Sequence, residues 1–249
     1  MSQTSTRQPL YRPRLVRFIS ELSVADQAVS HKHFAERLGQ LFDLSDSIAI
    51  SAAHGRRKKQ QLEPAPGSGE AAKETFLRGR GAIVRAALRG FAKDTTARIR
   101  FPVIGVDVPL AESMEAEPYL AFYAAQQQEA EFRVRKLQLE VRKAVAQCSP
   151  ELAGLCALDT VLGDSLASRR RRCFTAVPQL LQQRFTYLLE ACQLAGAEQQ
   201  EGRDLWLTSL ARFRDDMQGT LLAEIDARLL PVTGLIEALD EHSDKESYD

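Results

Sequence analysis

Apolar residues recur at steps of three and four through the second half of the chain, close to the 3.6-residue period of helices with one buried face. From Pro118, the positions Leu120, Tyr123, Gln127, Ala130, Val134, Leu137, Val141 and Ala144 follow this rule without a miss. They predict one long helix with a narrow seam close to that of a coiled coil, and with polar Gln127 set into it. Ser149 has the side chain of an N-cap, and Pro150 suits the first position of a second helix. The predicted inner face of that helix is Leu155, Leu158, Leu162 and Leu166. A third helix carries Phe174, Val177, Leu181, Phe185, Leu188 and Cys192. A fourth carries Trp206, Leu210, Phe213, Met217, Leu221 and Ile225, and Pro231 is expected to start a separate short segment through Leu235, Ile236 and Leu239.

The first half is less regular. Leu15, Phe18, Ile19 and Leu22 follow Pro13 at helical spacing, and Ser30 is placed to cap a second helix with Phe34, Leu38, Leu41 and Phe42 on its apolar side. The stretch "HGRRKKQQLEPAPGSGE" then breaks the period with charge, proline and glycine, as a solvated linker does. Helical spacing resumes with Phe76, Ile83, Ala87, Leu88 and Phe91. Gly79 and Gly81 each weaken a helix interior by about 1 kcal/mol relative to Ala, so this helix is expected to firm up only near Ala82. "FPVIGVDVPLAESMEAEP" reads as an irregular crossover whose β-branched residues have no second strand to pair with. The pattern predicts an all-α fold, a multi-helix bundle of long antiparallel helices with a small N-terminal helical module. Its expected divisions are the module at 1–54, a flexible basic, Pro- and Gly-rich linker at 55–75, a helix plus crossover at 76–117, the bundle at 118–240, and an acidic disordered tail at 241–249.

Composition narrows the function classes. The 249 residues are 44% hydrophobic, enough for a sizeable core. Basic and acidic residues number 33 each, and this neutrality argues against a dedicated nucleic-acid protein. The charges are segregated, however: between Arg56 and Arg100 twelve basic residues face four acidic ones, while Glu237–Asp249 holds six acidic residues and one lysine. No apolar run approaches the roughly 20 residues of a membrane span, and "MSQTSTRQPLYRPR" lacks the apolar centre of a secretory signal. Cys148, Cys156, Cys173 and Cys192 form no CxxC pair, so they are expected to be buried free thiols in the cytoplasm.

Chemistry-bearing motifs are scarce. "RGRGA" lacks the strand and third glycine of a phosphate cradle. His31 and His33 point to different sides of a helix, so they do not predict a metal site. Asp215–Asp216 and Glu224 with Asp226 lack the histidine-backed spacing of a bundle di-metal centre. Glu224 and Arg228 instead have the i, i+4 spacing of a stabilising ion pair. No catalytic residue, metal or cofactor is predicted. Trp206 fits its helical stripe and is expected in the core rather than as an interface anchor.

Two features remain as interaction candidates. Arg169, Arg170, Arg171 and Arg172 sweep about 300° around a helix axis and so form no single stripe. They are expected to be a charged collar at a helix junction, complementing the dipole of the helix begun at Pro150; a phosphate grip or a partner patch is the alternative. Arg56, Arg57, Lys58 and Lys59 form a second basic run without interleaved aromatics. The other candidate is the seam itself: Leu120, Tyr123, Gln127, Val134, Leu137 and Val141 either pack inside the bundle or pair with a second chain.

"ERLGQLFDLSDSIAISAA", "ALDTVLGDSLASRRRRCFTAVPQLLQQRF" and "FRDDMQGTLLAEIDARLLPVTGLIEAL" resemble an uncharacterised proteobacterial domain-of-unknown-function family over most of the chain. The resemblance implies an accessory role at the cytoplasmic face of the inner membrane, beside envelope proteins resembling MotA-type channels and OmpA-like proteins. It carries no functional residues with it. The expectation is a non-enzymatic, cytoplasmic helical interaction protein with a protein partner, forming a homo-oligomer or working inside a complex. The alternatives are a nucleic-acid-binding factor using the basic runs and, third, an enzyme with an unrecognised site.

Overall fold

A computed structural model describes residues 14–15, 48–49, 51–52, 68–92, 96–102, 110–194 and 200–246. Among them the ordered elements are all helices: α1 Ser68–Phe91, α2 Leu110–Ser113, α3 Glu117–Ala146, α4 Pro150–Ser165, α5 Ala167–Thr175, α6 Val177–Leu194 and α7 Gln200–Glu246. The fold is an all-α bundle.

The long helix α7 is the axis of this bundle and packs against α1, α3, α4 and α6. Its 47 residues extend roughly 70 Å at 1.5 Å per residue. The predicted stripe is its buried side: Trp206, Leu210, Phe213, Met217, Leu221 and Ile225 are each at most 1% exposed. Pro231 does not begin a new segment; it lies inside α7. The apolar repeat runs in phase through it, from Leu221, Ile225 and Leu229 to Val232, Ile236 and Leu239, all buried. Packing on both sides thus offsets the missing backbone hydrogen bond. Nor does the helix end at the expected tail, since residues 241–246 continue it.

Helix α3 runs parallel to α7 and antiparallel to α1. Two glycines of α1 set that second contact. A Cβ on Gly79 would meet Leu137, and one on Gly90 would meet Gln126 and the Ile99 carbonyl. Of the two glycines read as weak points, Gly79 therefore marks a close approach of the two helices, whereas Gly81 meets only the side chain of Arg85 on its own helix. The helix begins at Ser68 rather than near Ala82, correcting both that start and the linker boundary at 75. Ala72 and Phe76 are buried, and Lys73 bridges Asp240 of α7 at 2.7 Å, so this first turn is held by the bundle. One core joins α1 to the other long helices, and no domain boundary falls at 117.

Rings of Phe91, Phe101, Tyr119, Phe122, Phe185, Trp206 and Phe213 fill one end of that core, mostly edge-to-face at 4.9–6.3 Å. Trp206 donates its ring N–H to the Ser113 hydroxyl at 2.9 Å, so its polar edge is satisfied in the interior.

In α4, Ser149 accepts from the Leu152 N–H as the predicted cap. Its inner face is rotated from the expected leucines: Leu152, Ala153, Gly154 and Cys156 are buried, and Leu155, Leu158, Leu162 and Leu166 are half-buried. The cause is the 2.6 Å ion pair of Asp159 with Arg142 of α3, which turns the stripe Leu152, Cys156, Asp159, Gly163 toward its neighbour. Cys148, Cys156 and Cys192 are buried, whereas Cys173 is exposed on α5, against expectation. The 1–54 module is described only at Arg14–Leu15 and at residues 48–49 and 51–52; the rest of it, with Arg56, Arg57, Lys58, Lys59, His31 and His33, lies outside the described residues. Arg14 meets Asp226 of α7 at 3.2 Å.

Candidate functional site

The six seam residues face inward. Tyr123, Val134, Leu137 and Val141 are at most 3% exposed, Leu120 packs against the core, and Gln127 is half-buried. Helices α1 and α7 of the same chain fill the seam, so it is not the surface offered to another chain.

Gln127 and Tyr123 instead build a buried polar network with α7. Glu224, 1% exposed, accepts from the Tyr123 hydroxyl at 2.5 Å, from Gln127 Nε2 at 2.8 Å and from Arg228 Nη2 at 3.3 Å. Gln127 also donates to the Phe174 carbonyl at 3.0 Å, which ties the end of α5 into the network. The Arg228 guanidinium lies 3.7 Å above the Phe174 ring, within cation–π distance. Its other nitrogen meets Glu131 at 3.4 Å, and Gln138 donates to its backbone carbonyl at 2.8 Å. The i, i+4 pair of Glu224 and Arg228 is therefore present but buried, not superficial. Burial raises the Glu224 carboxyl above its usual range, although the bonds from Tyr123, Gln127 and Arg228 pull it down. Burial and the Glu224 charge push the Tyr123 hydroxyl well above the ordinary tyrosine value.

Over this network lies a small cleft of about 20 Å³, lined by Glu131, Val134, Arg135 and Gln138 of α3, Arg170 of α5 and Arg228 of α7. Arg135 bonds Glu131 at 2.6 Å. Arg170, half-buried, makes no ion pair with a carboxylate among the described residues. Burial, then the charges of Arg228, Arg135 and Arg142, hold its guanidinium below the ordinary arginine range, with Glu131 opposing. It remains protonated at neutral pH.

The four consecutive arginines do not close the helix begun at Pro150. That helix stops at Ser165, and the run lies within the separate helix α5, with Arg172 in its last turn. Arg169, Arg171 and Arg172 are exposed, and Arg170 alone turns inward. The structure thus divides the candidate patch and brings its one inward member to residues of the predicted seam helix.

Sequence reasoning passed over the outer side of α3. Phe132 and Leu139 are 68% and 67% exposed, the largest apolar exposures on that helix. Seven residues apart, they share one face, directly opposite the seam. Ala121, Ala125 and Gln128 continue this face toward the N-terminus. The i, i+7 spacing of two large apolar residues off the main stripe was the available signal. Ion pairs flank the ridge: Glu129–Arg133 at 2.7 Å, Glu131–Arg135 at 2.6 Å and Lys136–Glu140 at 3.9 Å.

Among the described residues no three His, Cys, Asp or Glu side chains gather as metal ligands, and no helix is long and apolar enough to cross a membrane. A family model described as "Protein of unknown function (DUF3348)" matches residues 1–241. No curated protein and no solved structure matches the chain.

Proposed function

The chain belongs to that family of unknown function, and we propose that it works as a non-enzymatic helical interaction protein, pairing with a second copy of itself through the outer face of α3. The observation that carries this reading is the exposed Phe132–Leu139 ridge on a helix otherwise lined with balanced charge. An apolar ridge of one-heptad spacing, left in water, gains free energy by burial against a like surface.

Charge order selects the second copy and its direction. Along α3 the acids Glu129 and Glu131 precede the bases Arg135 and Lys136. Two such helices crossing antiparallel at Phe132 bring Glu129 within about one residue of the level of the second copy's Lys136 on the same flank, and Glu131 within about two of its Arg135. Leu139 then meets the second copy's Ala125. A parallel pair would set like charge on like. The Glu129–Arg133 and Lys136–Glu140 pairs are surface pairs, each contributing about 0–1 kcal/mol, so exchanging them costs little, and Glu131 keeps its second oxygen on Arg228.

The setting suggested by the family resemblance is the cytoplasmic face of the inner membrane, beside envelope proteins resembling MotA-type channels and OmpA-like proteins. Sedimentation equilibrium tests the self-pairing. The wild type should sediment as a dimer at micromolar concentration, and Phe132→Glu with Leu139→Glu should give a monomer of unchanged helicity. A wild type that stays monomeric at every practical concentration overturns the proposal.

A further inference from the structure

The cleft over the Glu224 network has more positive than negative charge around it. Arg135, Arg170 and Arg228, each from a different helix, line it together with the single carboxylate Glu131. Among the described residues Glu224 beneath them is the only other acid in the network, and Arg142 nearby is already matched by Asp159 at 2.6 Å. Even with Glu224 ionised, three guanidiniums face two carboxylates. Glu131 is shared, with one oxygen on Arg135 and the other on Arg228. Arg170 faces these guanidiniums with the shared Glu131 opposing them. Like charges gathered in a partly dry cleft repel unless an anion joins them.

We infer that this cleft is an oxyanion site, taking one oxygen of a phosphate group between Arg170 and Arg228 while the rest of the group stays in solvent. Its volume, about 20 Å³, admits a single oxygen-sized atom and excludes a whole phosphate. Planar guanidinium forks suit phosphate oxygens, which accept paired N–H donors. The floor is fixed: Arg228 is held by Glu224, Glu131 and the Phe174 ring, so it presents its charge without reorganising. Arg170 is the adjustable wall, a long side chain with no ion-paired carboxylate among the described residues. Exposed Arg169, Arg171 and Arg172 on the same short helix add a positive field that draws anions toward it. The cleft shares Glu131 and Arg135 with one flank of the α3 ridge, but Arg170 and Arg228, which would hold the oxygen, take no part in the pairing of α3, so the site stands whether or not the chain pairs with itself.

Calorimetric titration with inorganic phosphate at low ionic strength tests the inference on three proteins: wild type, Arg170→Gln and Arg172→Gln. The last removes the same charge from the same helix but leaves the cleft intact. The expected result is saturable one-to-one binding to the wild type, weakened about tenfold or more in Arg170→Gln, as for loss of a charged hydrogen-bond partner. Arg172→Gln should stay within about threefold of the wild type. Phosphate should likewise raise the melting temperature of the wild type and of Arg172→Gln, but not that of Arg170→Gln. A second arm uses glycerol phosphate. Tighter binding than inorganic phosphate identifies a phosphate ester as the natural ligand, and weaker binding identifies the free ion; each requires the cleft. Absence of saturable binding tighter than about 1 mM overturns the site. So does an equal weakening in both variants, which would reduce the effect to general charge.

Discussion

Replacing Gly90 by Ala separates two opposing effects that the structure makes unequal. Helix propensity favours Ala by about 0.5–1 kcal/mol in a helix interior, and less near the end of α1. Against this, the added Cβ lies 2.9 Å from Gln126 Cδ and 3.1 Å from the Ile99 carbonyl oxygen. Gln126 is 5% exposed and donates to that carbonyl at 3.1 Å, so it cannot move without breaking the bond. Overpacking costs about 1–3 kcal/mol, and an unsatisfied buried amide about 1–3 kcal/mol more. Gly90→Ala should therefore lose roughly 2–4 kcal/mol net by the same terms. Gly234 is the control: it lies inside α7 with nothing within 4 Å of its added Cβ, so Gly234→Ala should gain about 0.5–1 kcal/mol. Urea unfolding followed by circular dichroism reads both variants, at an unchanged denaturant slope. A Gly90→Ala protein as stable as the wild type would refute the close approach of α1 to α3.

Glu224 gives a pH prediction with a definite sign. Its folded carboxyl is raised above the unfolded value near 4.5, so folding favours the protonated form. Its contribution is present below that value and is lost as pH rises through the folded pKa. The stability of the wild type relative to Glu224→Gln should therefore fall as pH increases above about 4.5. A rise would mean that Arg228, with Tyr123 and Gln127, outweighs burial at this carboxyl. Cysteine alkylation of the native protein tests the packing near α5. Cys173 should label, while Cys148, Cys156 and Cys192 stay unmodified until unfolding, Cys156 also having its thiol pushed up to about 12 by burial. Mass spectrometry showing early labelling of the buried three would contradict their placement.

The parts of the fold legible in the sequence were those where one apolar period runs long and in phase. Trp206 through Ile225 and Leu120 through Val141 identify α7 and α3, because burial on one side of a long helix leaves a repeat that local noise cannot hide. Pro231 misleads for the opposite reason. A local rule says that a helix starts there, whereas the residues on both sides share a single face and keep α7 continuous. Gly79 and Gly90 carry information about a neighbour that their own segment does not contain. The inner face of α4 depends on Asp159 finding Arg142, a contact between helices that periodicity cannot rank against four regular leucines. The site is the least legible part. Glu224 and Arg228 announce a pair by their spacing, but their burial depends on Tyr123 and Gln127, about a hundred positions away. The arginine run suggests one patch, and only the tertiary fold singles out Arg170.

The self-pairing of α3 is tested most directly by engineered cysteines in a Cys173→Ser background. Phe132→Cys alone should form an oxidised dimer, because the antiparallel crossing brings position 132 against itself. When Ala125→Cys and Leu139→Cys proteins are mixed, cross-links between 125 and 139 should outnumber those of either position with itself. Dominant 125–125 and 139–139 products, or no cross-link at 132, would contradict the antiparallel pair.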